Sequence, residues 1–294
     1  MLASIPAPTS HGIEIGPLEF RFYGLAIALG MIAALFVIRK RYARFGGDPE
    51  TIEKIFLWII LIGFLGARLA YVSTHTGRFT DDPWKVIAVW EGGLAFFGGL
   101  TFGTATAIFL IRRHGGEVTA LADSIAIGLP LAQAIGRWGN YFNQELFGTP
   151  SSLPWAVEID PINRPQAHLD AATFHPTFLY EMLWNLATIG VLLFTEKRFR
   201  FAPGNLFFAY LSSYGVGRFW IELLRTDTTF RFLGISRNGW VAFALTLVSL
   251  TIFILRQRSH SLSTSPTPAT KPLSQRKNLP PADLRKLPRR AQDK

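Results

Sequence analysis

Seven apolar stretches, each approaching the length of a bilayer-crossing helix, recur along this 294-residue chain and restrict its fold more than any other feature. They lie near residues 20–38, 55–72, 94–111, 121–135, 179–194, 206–224 and 240–255. At 1.5 Å per residue, about 20 apolar residues match the ~30 Å hydrocarbon layer. Hydrophobic residues make up 49% of the chain and charged residues only 17%. A soluble domain carries about a quarter charged residues, and the mean hydropathy here is positive, at +0.25. The expectation is an all-α polytopic membrane protein with about seven transmembrane helices. Asp123 and Pro130 interrupt the fourth stretch, which makes it the weakest of the seven. Residues 1–19 contain no Lys or Arg and no small-residue cleavage site follows the first stretch, so it reads as a retained span rather than a cleaved signal.

The basic residues set the orientation. With the N-terminus outside, the inner segments hold Arg39, Lys40, Arg41, Arg44, Lys54, Arg112, Arg113, Lys197, Arg198 and Arg200, and the basic run from Arg256 onward joins them. The outer loops hold only Arg78, Lys85, Arg164, Arg225, Arg231 and Arg237. Positive residues collect on the cytoplasmic side, which gives an N-out/C-in topology. The net charge of +10 therefore reports topology and anionic lipid rather than nucleic acid. The chain divides into three regions: an outer N-terminal segment at 1–19, a membrane domain at 20–256, and a basic, Ser- and Pro-rich tail at 257–294 that reads as disordered. Within the domain, residues 149–175 carry Pro150, Pro154, Pro161 and Pro165 and read as a small irregular outer cap, with a short strand near 155–159. The chain has no cysteine, so any thiol in its chemistry arrives with a substrate.

Four polar clusters fall where hydrocarbon is expected. The first is the stretch 136–148, with Arg137, Asn140, Asn143, Gln144 and Glu145 bracketed by Gly136, Gly139 and Gly148. A guanidinium inside a span costs about 2.5–3.5 kcal/mol on insertion scales, and its natural ligand is phosphate or carboxylate. Either the helix continues and stacks these side chains on one face, or it breaks at the glycines and exposes backbone N–H groups. The second cluster, Tyr214, Arg218, Glu222 and Arg225, takes steps of four, four and three along one helical stripe. Two arginines against one glutamate leave surplus positive charge, which favours an anionic guest. The third is the glycine run from Trp90-Glu91-Gly92-Gly93 to Gly98-Gly99, with Gly63, Gly66 and Arg68 as a smaller counterpart; close helix packing is its ordinary explanation. The fourth places His175-Pro176 beside Tyr180 and Glu181, where His175 is either a proton-transfer group or a cap.

Read in order, Arg21-Phe22-Tyr23-Gly24, Gly66-Ala67-Arg68, the 90–99 run, Gly136-Arg137-x-Gly139-Asn140 with Asn143-x-Glu145-x-x-Gly148, His175-Pro176 with Leu179-Tyr180-Glu181, and Arg218-x-x-x-Glu222-x-x-Arg225 form a set. The set resembles the bacterial prolipoprotein diacylglyceryl transferases over about residues 16–256. The resemblance implies transfer of the diacylglyceryl group of phosphatidylglycerol to the lipobox cysteine of a preprolipoprotein. Glycerol phosphate is released, with no metal, nucleotide or other cofactor. It also implies a multi-pass protein of the bacterial inner membrane whose site faces outward, with membrane lipid and preprolipoprotein as partners. One departure stands out: Phe97 occupies a position where the family usually has histidine or tyrosine. Two other classes stay open, a non-catalytic paralogue that binds lipid or precursor and an anion or headgroup transporter.

Displacing a phosphate from a glycerol carbon by sulfur meets two obstacles: charge building on the leaving phosphate, and the scarcity of thiolate at a cysteine pKa near 8.5. Arg137 and Arg218 are assigned to the lipid phosphate with Asn140 donating beside them, and Glu145 and Glu222 to holding the arginines. Gly148 is assigned to close approach of lipid or peptide, and Gly98 and Gly99 join the lipid-binding set. For the thiol proton the candidates are Tyr23, His175, Tyr214 or an unpaired glutamate.

Overall fold

The computed structural model describes residues 4–16, 18–226 and 231–264. Contacts divide the chain into Met1–Gln257 and Arg258–Lys294. In the second unit only the last turns of the final helix, to residue 264, are described, so most of the tail expected to be disordered lies outside the described residues.

A hairpin of β1 (Gly12–Ile15) and β2 (Leu18–Arg21) leads directly into α1 (Phe22–Arg44), so Phe20 and Arg21, expected to open the first span, are strand instead. Next along the chain come α2 (Pro49–Thr74), α3 (Phe96–Arg113), α4 (Val118–Phe142), α5 (Thr177–Arg198), α6 (Asn205–Leu224) and α7 (Arg237–Thr264). Every apolar stretch has become one of these helices, and the chain is mostly helical. Helix α7 runs eight residues past 256, where the sequence placed the start of the tail. Five helices, α1, α2, α4, α5 and α7, are long and apolar enough to cross a membrane. The other two are diluted by charge, α3 by Arg112 and Arg113 at its end and α6 by Arg218 and Glu222 within it. Leu29, Ile32, Phe36, Leu57, Leu65, Phe109, Phe194 and Val248 are exposed on these helices, as expected of side chains facing lipid rather than water.

Small residues let the helices close on one another. A Cβ on Gly30 of α1 would lie 2.8 Å from the Ala132 carbonyl oxygen of α4, and one on Gly128 would lie 2.5 Å from Ile38. Helices α2 and α3 pair in the same way, with Gly98 against the Gly66 carbonyl and Ala70, and Gly99 against Gly63 and Ala67. The buried Asp123, which interrupted the fourth stretch, caps α6: its carboxylate accepts from the Gly204 N–H at 2.7 Å and the Phe207 N–H at 3.4 Å. An anion at a helix N-terminus satisfies donors that have no intrahelical partner. Basic side chains close the last turns of α1 (Arg41, Arg44), α3 (Arg112, Arg113) and α5 (Lys197, Arg198), where they complement the helix dipole.

The loop between α2 and α3 is organised around Arg68, whose guanidinium donates to the carbonyls of Val86 (2.8 Å), Gly92 (2.6 Å), Gly93 (2.9 Å), Ala88 (3.4 Å) and Lys85. Gly92 and Gly93, at φ +83° and +79°, supply the backbone path that turns their carbonyls toward it. Arg68 is thus spent on structure. The cap carries a two-residue pair, β3 (Val157–Glu158) against β4 (Thr173–Phe174), shorter than the expected strand at 155–159. The N-terminal segment adds a third line to it, with the Ile5 N–H donating to Ala156 and the Glu158 N–H to Ile5, both at 2.8 Å. Beneath, Phe147, Val157, Ile159, Phe174 and Phe178 form a small core. A last hairpin, β5 (Arg231–Phe232) and β6 (Ile235–Ser236), turns through Leu233 and Gly234 into α7.

Candidate functional site

Helix α4 does not break at its glycines. It continues through Gly136 and Gly139 to Phe142, which stacks Arg137 and Asn140 one turn apart at its end. The chain then makes a sharp reversal in which two non-glycine residues, Gln144 (φ +50°) and Leu146 (φ +59°), take left-handed conformations. Such a residue costs about 1–2 kcal/mol, and strain of this kind persists only where surrounding contacts hold it. Here they do. The buried Gln144 side chain donates to Asp160 Oδ2 at 2.6 Å and accepts from the Asp160 N–H at 2.7 Å. The Leu146 carbonyl accepts from the Thr177 hydroxyl, and the Gly148 N–H donates to the His175 carbonyl at 2.9 Å. The reversal folds Glu145 back beneath the helix end, where its Oε1 accepts from Asn140 Nδ2 at 2.8 Å and Asn143 Nδ2 at 3.4 Å.

Arg137 donates to Asn140 Oδ1 at 3.2 Å and forms an ion pair with Glu181 of α5. The other oxygen of Glu181 lies 3.7 Å from Nη1 of Arg218 on α6, and Nη2 of Arg218 lies 2.9 Å from Glu222 Oε2. Glu222 is held from behind: its Oε1 accepts from the Ser236 hydroxyl at 2.9 Å, which itself accepts from the Gly239 N–H at 3.0 Å. Three helices therefore bring two guanidinium groups to one carboxylate. The arginine side chains keep 20% and 16% exposure against 9% for Glu181, so they are more accessible than the carboxylate between them.

This arrangement corrects several expectations. Glu145 takes amides, not an arginine, so it steadies Asn140 rather than holding a guanidinium. On the α6 stripe Arg218 faces Glu181 as well as Glu222, and Glu181 is a residue that its place in the chain groups with His175 and Tyr180. Nothing on its own helix shows which arginines Glu181 pairs with, because these partners come from α4 and α6. The side-chain space at Gly148 is filled by the chain itself: a Cβ there would meet His175 at 2.8 Å and the Leu224 carbonyl at 3.1 Å, so the glycine knits three segments rather than admitting lipid.

The proton-transfer candidates are spread out. The Tyr23 ring lies against Gly139 and within electrostatic range of Arg137 and Glu145, at the edge of the cluster. His175 shares a 3.1 Å hydrogen bond with the Tyr180 hydroxyl, which also accepts from Trp155 at 3.0 Å, so it belongs to the junction of cap and α5. Tyr214 meets Tyr210 ring to ring at a tilt, in the interior among α4, α5 and α6.

Comparison with known proteins decides the family. The family model described as prolipoprotein diacylglyceryl transferase matches residues 11–255. The chain belongs to the prolipoprotein diacylglyceryl transferase family. It is 40% identical over 262 residues to phosphatidylglycerol–prolipoprotein diacylglyceryl transferase 2 of Streptomyces coelicolor, covering 88% of this chain and 83% of that one. Relatives of the same name from Paenarthrobacter aurescens (40% over 274 residues, 89% and 86% covered) and Mycobacteroides abscessus (40% over 270 residues, 86% and 78% covered) are similarly close. Seven positions of the motif set, Arg137, Asn140, Asn143, Glu145, Glu181, Arg218 and Glu222, lie in one connected network in this family member.

Three family-derived positions, Gly98, Gly99 and Phe97, lie on α3, which pairs with α2. Gly98 and Gly99 are packing glycines of the α2–α3 pair rather than neighbours of the arginines. Phe97 is 68% exposed and meets Phe96 edge-on, on a helix that packs mainly against α2.

Proposed function

We propose that this chain moves the diacylglyceryl group of phosphatidylglycerol onto the cysteine thiol of lipobox-containing preprolipoproteins, forming a thioether and releasing glycerol phosphate. Its relatives are named phosphatidylglycerol–prolipoprotein diacylglyceryl transferases, which supports this reading. One observation in this chain carries the reading: Arg137 and Arg218, from separate helices, converge on a single carboxylate. Two guanidinium groups that share one small anion are spaced to share another, and a phosphodiester has the same oxygen-rich geometry. As the carbon–oxygen bond breaks, charge accumulates on the departing phosphate. Donors held in position beforehand need no reorganisation at that moment, and each such donor contributes about 2.7–4 kcal/mol. Asn140, steadied by Glu145, directs Arg137, and Glu222 with Ser236 directs Arg218.

The same reading sets the site in a bilayer. All seven helices cross the bacterial inner membrane with the N-terminus out and the C-terminus in. The basic last turns of α1, α3 and α5 support this, since positive residues stay on the cytoplasmic side. The end of α4 that bears Arg137 then faces outward beneath the cap, where an exported lipobox arrives.

The test is mass spectrometry of a lipobox peptide incubated with the purified chain and phosphatidylglycerol. Addition of a diacylglyceryl mass to the cysteine is the expected result. A peptide recovered unmodified overturns the reading, and lipid flux across proteoliposomes without modification replaces it with transport.

A further inference from the structure

Glu181 is the member of the network whose part in the chemistry is unassigned, and its position is unusual for a counter-ion. Its described partners are Arg137 and Arg218, one on each oxygen. It therefore occupies the donors that a lipid phosphate needs. The other carboxylates are pinned elsewhere: Glu222 by Ser236 behind and Arg218 in front, Glu145 by the two asparagine amides. Among the described residues, Glu181 is held by Arg137 and Arg218 alone, groups that an incoming phosphate would take over.

Charge balance disfavours an ionised Glu181 once lipid is bound. In direct pairing, two arginines face Glu181 and Glu222, and the set is neutral. A bound phosphodiester adds one negative charge, and a second arises as that phosphate leaves. In a site of low effective dielectric, two anions competing for the same pair of cations repel strongly. Neutralising Glu181 removes the competitor, and the attacking thiol carries a proton that has to go somewhere.

We propose that Glu181 is a displaceable counter-ion that becomes the acceptor of the thiol proton. The inference rests on the transferase reading above. The lipid phosphate takes the arginines, and the released carboxylate accepts the proton as the cysteine S–H bond breaks and an O–H bond forms. Sulfur then bonds to the terminal glycerol carbon while that carbon's bond to the phosphate oxygen breaks, and the electron pair leaves on glycerol phosphate. The proton passes from Glu181 to this departing dianion, and the carboxylate returns to the arginines. Activation of the nucleophile and release of both cations for the leaving group thus become one event. The charged and titratable groups around Glu181 are Arg137 from α4 with Glu145 beyond Asn140, Arg218 from α6 with Glu222 on its far side, Tyr23 of α1 near Arg137, Tyr180 on its own helix and His175 just before it.

The experiment is Glu181→Gln, which keeps the shape, removes the competing charge and cannot take up the proton. Since positioned general bases contribute about 10²–10⁴-fold, kcat falls by at least about a hundredfold. KM for phosphatidylglycerol stays level or falls, and the ascending limb of the kcat–pH profile disappears. A kcat within about threefold of wild type overturns the inference, and so does a raised KM with kcat kept, the pattern of lost uniform binding. If the Gln variant does not fold, Glu181→Asp decides: a shifted ascending limb supports the inference and an unmoved one sinks it. Wild type in the same assay separates the two readings, because an inactive wild type defeats the transferase reading itself. An active wild type beside an equally active Gln variant defeats only the role of Glu181.

Discussion

Gln144 and Asp160 exchange two hydrogen bonds, 2.6 and 2.7 Å long, and through them the cap grips the strained turn at the end of α4. The turn places Glu145 under Asn140, so the grip reaches the arginine network. Gln144→Ala loses both bonds and leaves Asp160 short of partners, at about 1–3 kcal/mol for the buried group, while the left-handed backbone remains. Gln144→Gly loses the same bonds but relieves about 1–2 kcal/mol of strain. The alanine variant is expected to unfold at a lower temperature than the glycine variant in detergent. The reverse order would mean that the turn stores no strain.

Arg137 gives the sharpest test of phosphate binding. Arg137→Lys keeps the charge but cannot bridge Asn140, Glu181 and phosphate with one planar fork. Losing an aligned donor lowers kcat by about 10²–10³-fold. Turnover of phosphatidylglycerol at the wild-type rate removes Arg137 from that role.

Arg218 and Glu222 separate structure from chemistry. Breaking a buried pair by removing one partner destabilises by about 3–5 kcal/mol, whereas replacing both by apolar groups is often neutral or stabilising. Arg218→Met alone is therefore expected to express poorly, and Arg218→Met with Glu222→Leu to fold and be inactive. Thermal unfolding and the peptide assay read the two effects side by side. An active double variant would make the pair structural only.

Phe97 occupies the position at which the resemblance drawn from the sequence implies histidine or tyrosine. Its side chain is exposed on α3, and its described ring contact is with Phe96. Phe97→His is expected to leave the rate of diacylglyceryl transfer unchanged. A faster variant would route the thiol proton along α3 instead of α5.

At the start of α2, Asp48 accepts from the N–H groups of Glu50 (3.0 Å) and Thr51 (3.2 Å) and from the Thr51 hydroxyl (2.9 Å). These bonds, the Glu50 N–H foremost, hold its carboxyl below the ordinary value of 3.8. A depressed folded pKa means that the contribution is complete above the unfolded value and fades as pH falls through the folded one. Acid unfolding of wild type should therefore show a component below about pH 4 that Asp48→Asn lacks, since the amide still accepts but does not titrate. Equal acid profiles for the two proteins would remove Asp48 from the titration.

Each helix is legible as an apolar run, because a segment that must bury its backbone polar groups in hydrocarbon has little choice but α-helix. Asp123 and Pro130, which blur the fourth run, lie inside a continuous helix. The aspartate serves as a cap for α6, a partner 81 positions away that no local pattern reveals. The hairpin at 12–21 is hidden for a different reason, since its alternation is short and its register comes from cross-strand pairing.

Within the site, the residues themselves are readable. A charged fork at the end of an apolar run signals an anion, and the four-residue step from Arg218 to Glu222 signals a pair along one helix. By itself the sequence determined seven helices, the basic ends of α1, α3 and α5, and the presence of Arg137, Asn140, Arg218 and Glu222 among them. Only the tertiary structure decided which carboxylate joins the two arginines, that Gly148 packs chain against chain, and that Gly98 and Gly99 serve a helix pair. The physical reason is reach: periodicity along one helix reports neighbours three or four residues away, whereas Glu181 acquires its partners when α4, α5 and α6 close on one another.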